Sequence, residues 1–142
     1  MKKIIDEIKV RLTSNNCWCE EVARVVVSAF LAPQNYPLEE LADIRCSVGE
    51  AVANCVIHAY KEPSEKDYIY ISARLYDNRE FSIEILDNGC GFDTSIFARN
   101  EKGFGFVVMQ NFMDSVGVKS KIGKGTTVLM RKKMTKASEG ME

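Results

Sequence analysis

One histidine, one tryptophan and three prolines are all that 142 residues contain of these types. Each scarcity excludes something. With a single histidine, a tetrahedral zinc site would need scattered ligands, because the five cysteines, at 17, 19, 46, 55 and 90, include no C-x-x-C pair. Their odd number fits reduced thiols in a core better than a disulfide framework. No apolar run approaches the length of a membrane span. The charged N-terminus lacks the uninterrupted apolar region of a secretion signal. The expected compartment is therefore the cytoplasm, with no membrane partner. Net charge is −1, too weak a positive field for a nucleic-acid binder that relies on phosphate neutralisation.

What is present is an ordinary globular composition, 46% hydrophobic and 27% charged. A chain of this length buries roughly 68–70% of its unfolded surface, so one core suffices without a disulfide or metal staple. The expectation is a single domain over residues 1–142, with 1–5 and 134–142 frayed.

Hydrophobic spacing divides the chain into elements. Ile8, Val10 and Leu12 alternate with Lys9 and Arg11, which predicts a strand within the first 13 residues. Helical spacing from about Asn16 to Leu31 places Trp18, Val22, Val25, Val26, Ala29 and Phe30 on one apolar stripe, and the segment Pro33–Pro37 ends it. A second helix is predicted from about Leu38 to Tyr60, with Leu41, Ile44, Val48, Ala51, Val52, Cys55 and Ala59 on its core side. Asp43, Ser47, Glu50 and Asn54 fall on the opposite side, and His58 on the margin, where packing suits it better than chemistry. Gly49 inside this helix costs about 1 kcal/mol relative to Ala, so a close backbone approach or simple tolerance must account for it. Two strands, Tyr68–Tyr76 and Glu80–Leu86, join at Asp77-Asn78 as an antiparallel hairpin. A third helix runs from Phe106 to about Asp114. A last hairpin, Val116–Lys121 and Thr126 to about Lys133, turns at Gly123-Lys124-Gly125. This pattern predicts an α+β fold, a two-layer sandwich with a mixed, mainly antiparallel sheet covered on one face by helices.

Three features could carry chemistry, and each alone reads as well without it. Glu50 and Asn54 lie one helical turn apart. A carboxylate there can act as general base, and an amide oxygen can ligate Mg²⁺; an isolated E-x-x-x-N is more often a solvated face. Asp87-x-Gly89-x-Gly91 ends a strand, where the Asp can accept from an exocyclic amine such as adenine N6; Asp, Asn and Gly are also the commonest turn residues. Gly103-x-Gly105 opens a helix whose unpaired amides suit phosphate oxygens; a lone G-x-G is commonplace.

Taken in order, these features followed by Gly-Thr-Thr at the start of the last strand resemble the GHKL, or Bergerat-fold, ATPases. The resemblance implies that Glu50 is the catalytic base, Asn54 holds Mg²⁺, and Asp87 reads adenine. It also implies that Gly89 and Gly91 shape the adenine pocket, Gly103 and Gly105 contact phosphates, and Thr126 supports Asp87. Within that superfamily the stretch from about Ile8 to Lys133 is similar to the bacterial anti-sigma factor serine kinases, the sporulation anti-sigma F type above all. The strings that carry this are GEAVANCVIHAY, GFGFVVMQNFMDSV, GKGTTV and VARVVVSAF. The family likeness implies a homodimer that binds a sigma factor and uses ATP and Mg²⁺ to phosphorylate a serine on an anti-anti-sigma (STAS-type) protein. It matches Arg24 to a partner-contact position, a place that an ordinary exposed arginine would fill equally well.

The sequence departs from that family in three places. Only eleven residues, Phe92–Lys102, separate Gly91 from Gly103. Glu101 stands where these kinases carry an arginine, leaving Arg99 or Lys102 as the nearby cations. Gly49 replaces a small hydroxyl residue before the Glu. The first two departures leave open a runner-up, a non-catalytic nucleotide-binding module that sequesters a sigma factor without phosphoryl transfer. A histidine-kinase catalytic domain is a third reading, disfavoured because His58 lies within the nucleotide-binding region itself.

Overall fold

The computed structural model describes residues 2–13, 18–56, 67–91, 93 and 103–135. Among the described residues there are five strands and three α-helices: β1 (Ile4–Thr13), α1 (Cys19–Leu31), α2 (Leu38–Asn54), β2 (Tyr68–Tyr76), β3 (Glu80–Asp87), α3 (Phe104–Phe112), β4 (Ser115–Lys121) and β5 (Gly125–Lys133). One turn of 3-10 helix, Ala32–Gln34, links α1 to the approach to α2. The strands form one sheet in the order β1-β2-β3-β5-β4, and every pairing among the described residues is antiparallel. The sheet is thus antiparallel where a mixed one was expected. The α+β class stands.

Alternation fixes which sheet face is covered. Ile69, Ile71, Ala73 and Leu75 of β2 are buried, as are Phe81, Ile83 and Ile85 of β3 and Val128 and Met130 of β5. These residues form one core with Val27 and Leu31 of α1, Ile44, Val48 and Val52 of α2, and Met109 of α3. Fully burying each large aliphatic side chain contributes roughly 1.5–3 kcal/mol, which offsets the entropy of ordering the sheet. The other sheet face carries Tyr70 and Glu84, both exposed.

The inner side of α1 differs from the expected stripe. Cys19, Ala23, Val27, Phe30 and Leu31 are buried, whereas Trp18 is 67% exposed, Val25 54% and Val22 38%. The helix is apolar on two sides, so periodicity alone cannot choose between them. The side holding Ala23 packs inward and the side with the larger Trp18, Val22 and Val25 faces out. Helix α2 shows a second difference. The predicted polar side is not solvated: Ser47 is fully buried, and Asp43, Glu50 and Asn54 are each half-buried. That side faces α3 and β5, where Lys132 approaches Asp43 at 3.7 Å.

Element ends also shift. Helix α2 ends at Asn54, with the Cys55 amide still donating to the Ala51 and Val52 carbonyls. The expected continuation to Tyr60, with His58, lies outside the described residues. Helix α3 starts two residues early, at Phe104, because Gly103 caps it in an extended conformation and its carbonyl accepts the Phe106 amide at 3.1 Å. Of the ends expected to fray, residues 1 and 136–142 lie outside the described residues. Ile4 already pairs with Tyr76, Met134 is 1% exposed and donates its amide to the Arg79 carbonyl, and Thr135 donates to the Glu40 carboxylate.

Candidate functional site

Four element ends meet at one end of the sandwich: the last turn of α2, the end of β3, the start of α3 and the start of β5. Gly105 ties α3 to α2. A Cβ added there would sit 2.8 Å from Oε2 of Glu50 and 3.6 Å from Nδ2 of Asn54. A side chain at this position would have to displace the Glu50 carboxylate, so glycine lets the first turn of α3 lie against both groups as they stand. The sequence features read separately as a helix pair and a glycine pair are therefore one constellation.

The Cys55 thiol, one residue beyond Asn54, continues the constellation to Asp87 at the end of β3. Asp87 is 4% exposed, and Oδ1 accepts the Gly89 amide at 2.9 Å. Burial pushes the Asp87 carboxyl above its ordinary value, while the Gly89 amide, the Cys55 thiol and the Thr126 backbone amide pull the other way. Burial and the neighbouring Asp87 push the Cys55 thiol well up. Cys19, buried beside Glu20, is raised to about 11. Neither Cys19 nor Cys55 is in a disulfide, and their raised thiols are not tuned for nucleophilic attack.

Close backbone contact explains two further glycines. Gly91 (φ +63°) presses against the Lys121 carbonyl and Gly125 (φ +82°) against the Asp87 carbonyl, so neither position has room for a side chain. The Gly123 amide completes this clasp by donating to the Cys90 carbonyl at 2.7 Å. Gly91 thus joins the Asp87 loop to the β4–β5 hairpin. Thr126 lies directly across from Asp87 in the β3–β5 ladder. Its hydroxyl pairs with the Ser120 hydroxyl at 2.8 Å, leaving its backbone amide to face the carboxylate.

Gly103 is exposed, with open space where a side chain would stand. Lys102, Arg99 and Glu101 lie outside the described residues. Arg24 is held on α1 by ion pairs with Glu20 and Glu21 and lies over Gly49 of α2, the residue before Glu50. A concavity of about 460 Å³ is lined by Asp87, Asn88, Ser120 and Gly125 together with Leu86, Lys119 and Thr127; neither Glu50 nor Asn54 lines it.

Residues 19–132 match the profile of the histidine kinase-like ATPase domain. The chain belongs to this family. Among curated relatives, the anti-sigma F factor of Caldanaerobacter subterraneus subsp. tengcongensis is 41% identical over 136 residues, 89% of this chain and 91% of the relative. The anti-sigma F factor of Clostridium perfringens is 42% identical over 125 residues, 81% of this chain and 88% of the relative. At the level of fold, the structure of the RsbU and RsbW domains of a Mycobacterium tuberculosis protein superposes with a TM-score of 0.72 at 18% identity. It covers 91% of this chain and 32% of that one. A histidine kinase domain from Erythrobacter litoralis gives a TM-score of 0.60 at 19% identity, covering 69% of this chain and 46% of that one.

A histidine kinase-like ATPase domain carries an ATP site, and Mg²⁺ usually accompanies the nucleotide. The donor set here fits Mg²⁺. Among the described residues no group of three or more His, Cys, Asp or Glu is placed to hold a metal. The Asn54 amide oxygen is a hard donor of the kind Mg²⁺ takes beside water and phosphate oxygens. Also among the described residues, no helix is long and apolar enough to cross a membrane.

Sequence reasoning did not single out Cys55 or Ser120. A cysteine at an apolar helix position reads as core, and Ser120 acquires its neighbour only when β4 pairs with β5. Gly125 was placed in a turn, but its contact with Asp87 is long-range and leaves no local signal.

Proposed function

We propose that this protein is a cytoplasmic, homodimeric anti-sigma factor that binds a sigma factor and phosphorylates a serine on an anti-anti-sigma protein. The close approach of Gly105 to Glu50 and Asn54 carries the catalytic half of this reading. It sets a general base and a cation-ligating amide beside a helix N-terminus suited to phosphate. The anti-sigma F relatives supply the partner half.

Asn54 would hold Mg²⁺, which when bound neutralises charge on the β- and γ-phosphate oxygens. Asp87 accepts a hydrogen bond from the adenine amino group. The amides opening α3, from Gly103 through Gly105, donate to phosphate oxygens, with Lys102 as a nearby cation. Glu50 accepts the proton of the antagonist's serine hydroxyl as its oxygen bonds to the γ-phosphorus. The bond from that phosphorus to the β–γ bridging oxygen breaks, and ADP leaves.

The exposed side of α1 supports the partner assignment. Trp18, Val22 and Val25 of α1 are large apolar side chains exposed on one side of the helix, and Ile4 and Ile5 of β1 are exposed as well. Arg24 adds a half-exposed cation beside that face. The runner-up, a nucleotide-binding module without phosphoryl transfer, keeps its motive in Glu101. Incubation with ATP, Mg²⁺ and the antagonist separates them. Phosphoserine on the antagonist supports the kinase; bound ATP with no phosphoserine supports the runner-up.

A further inference from the structure

Lys132 stands at a core-facing position of β5, in phase with the buried Val128 and Met130, and its side chain is only 12% exposed. Its Nζ donates to the carbonyl of Phe112, the last residue of α3, at 2.6 Å, and lies 3.7 Å from Oδ2 of Asp43 on α2. The final carbonyls of a helix lack partners within it, and a cation there also meets the negative end of the helix dipole. The lysine therefore joins the C-terminal end of α3 to α2. We propose that Lys132 is a positioning residue for the catalytic end of the site: with Asp43 it fixes where α3 lies along α2, and so where the amides that open α3 stand relative to Glu50.

Gly105 and Phe112 are seven residues apart on α3, and Asp43 and Glu50 are seven residues apart on α2. Seven residues are two helical turns, about 10.5 Å, and end within about 20° of the same side. The two helices are thus joined twice, in opposite order along each. Gly105 lies against Glu50 at one end, and the Phe112 carbonyl reaches Asp43 through Lys132 at the other. One contact alone would let α3 pivot or slide; two hold it. The chain just beyond α3 is also tied down, by the Asp114 amide on the Arg131 carbonyl at 2.9 Å and the Lys133 amide on the Asp114 carboxylate at 2.6 Å, but both bonds reach β5 and not α2. The competing view is that Lys132 only stabilises the fold. An apolar side chain in this nearly covered place would do that as well, because a buried ion pair is often no more stable than a well-packed apolar substitute.

This role rests on the reading that the start of α3 binds phosphate beside Glu50. ATP affinity by calorimetry and the serine phosphorylation rate at saturating ATP are measured for wild type, Lys132→Arg, Lys132→Met and Lys132→Met/Asp43→Asn. All are assayed well below their unfolding temperatures, with circular dichroism confirming the fold. The double variant leaves no unpaired charge, so it keeps the test alive should Lys132→Met alone fail to fold. Both Met variants are expected to lose about tenfold in ATP affinity and about tenfold in rate, the effect of misplacing bound groups by a fraction of 1 Å. Lys132→Arg, which keeps a cation within reach of both groups, should stay within about threefold of wild type in each. A lysine that only stabilises would lower the unfolding temperature and leave the folded protein's affinity and rate unchanged. Wild-type affinity and rate in the double variant would overturn the positioning role, and so would an Arg variant that behaves like Met. If wild type binds ATP but forms no phosphoserine, the kinase reading fails while the ATP affinities still decide the role of Lys132. If wild type binds no ATP, both fall.

Discussion

The guanidinium of Arg24 lies flat against Gly49. A Cβ at Gly49 would come within 2.6 Å of Nε and Nη2 and 2.8 Å of Cζ. The glycine inside α2 is therefore a seat for an arginine from α1, whose other sides pair with Glu20 and Glu21. Gly49→Ala should gain up to about 1 kcal/mol of helix propensity, but must push the guanidinium off its seat. In an Arg24→Ala background the full gain should appear; with Arg24 present, less than half of it. Urea unfolding of the four variants measures this coupling, and equal gains in both backgrounds would show that the seat contributes nothing.

Gly105→Ala addresses the catalytic end. The new Cβ meets the Glu50 carboxylate, which can swing aside without disturbing the core. We expect a fall of about 10²-fold in the rate of serine phosphorylation, the usual scale for displacing a reacting group by about 1 Å. ATP affinity and unfolding temperature should change far less. Steady-state kinetics beside a binding titration separates the two effects. Unchanged turnover would mean that α3 and Glu50 do not act together.

Asp87 should trade stability for recognition. Its folded pKa is raised by burial, so the protonated form favours the fold and the ionised form opposes it. That contribution is present below the unfolded value near 4 and is lost as pH rises through the higher folded value. Asp87→Asn should therefore unfold at a higher temperature than wild type at pH 7, with the gap closing toward pH 3. ATP binding should weaken in the same variant. Thermal unfolding across pH tests the sign, and a lower unfolding temperature at pH 7 would contradict it.

The outward side of α1 makes a separate prediction. Val25→Glu places a charge among exposed apolar side chains and leaves the buried side untouched. Sedimentation should show the dimer weakened by at least tenfold, since desolvating a charge in an apolar interface is costly. The monomer's fold, followed by circular dichroism, should persist. A dimer of unchanged affinity would place the interface elsewhere.

Much of this arrangement was legible in the sequence because it is local. Alternation in Tyr68–Tyr76 and Glu80–Leu86 marked β2 and β3, and Gly103-x-Gly105 marked the start of α3. The inner side of α1 was not legible, because Trp18, Val22 and Val25 are as apolar as Val27 and Leu31 and only the sheet decides which set is covered. The polar side of α2 appeared solvated because nothing local reveals that α3 returns across it. Contacts between distant segments, Gly125 on Asp87 and Gly91 on Lys121, had no signature beyond a glycine in a turn. Arg24 on Gly49 was half visible: the helix glycine needed a reason, and its partner lay 25 residues upstream.

The most direct test of the whole account is phosphoserine formation by wild type and Glu50→Gln, with ATP, Mg²⁺ and an anti-anti-sigma protein of the same organism. The account predicts phosphorylated antagonist with wild type. For Glu50→Gln it predicts a rate lower by about 10²–10⁴-fold, the range of a lost general base, with ATP affinity within about threefold of wild type because the glutamate meets the serine and not the nucleotide. Phosphorylation by Glu50→Gln at the wild-type rate would contradict it.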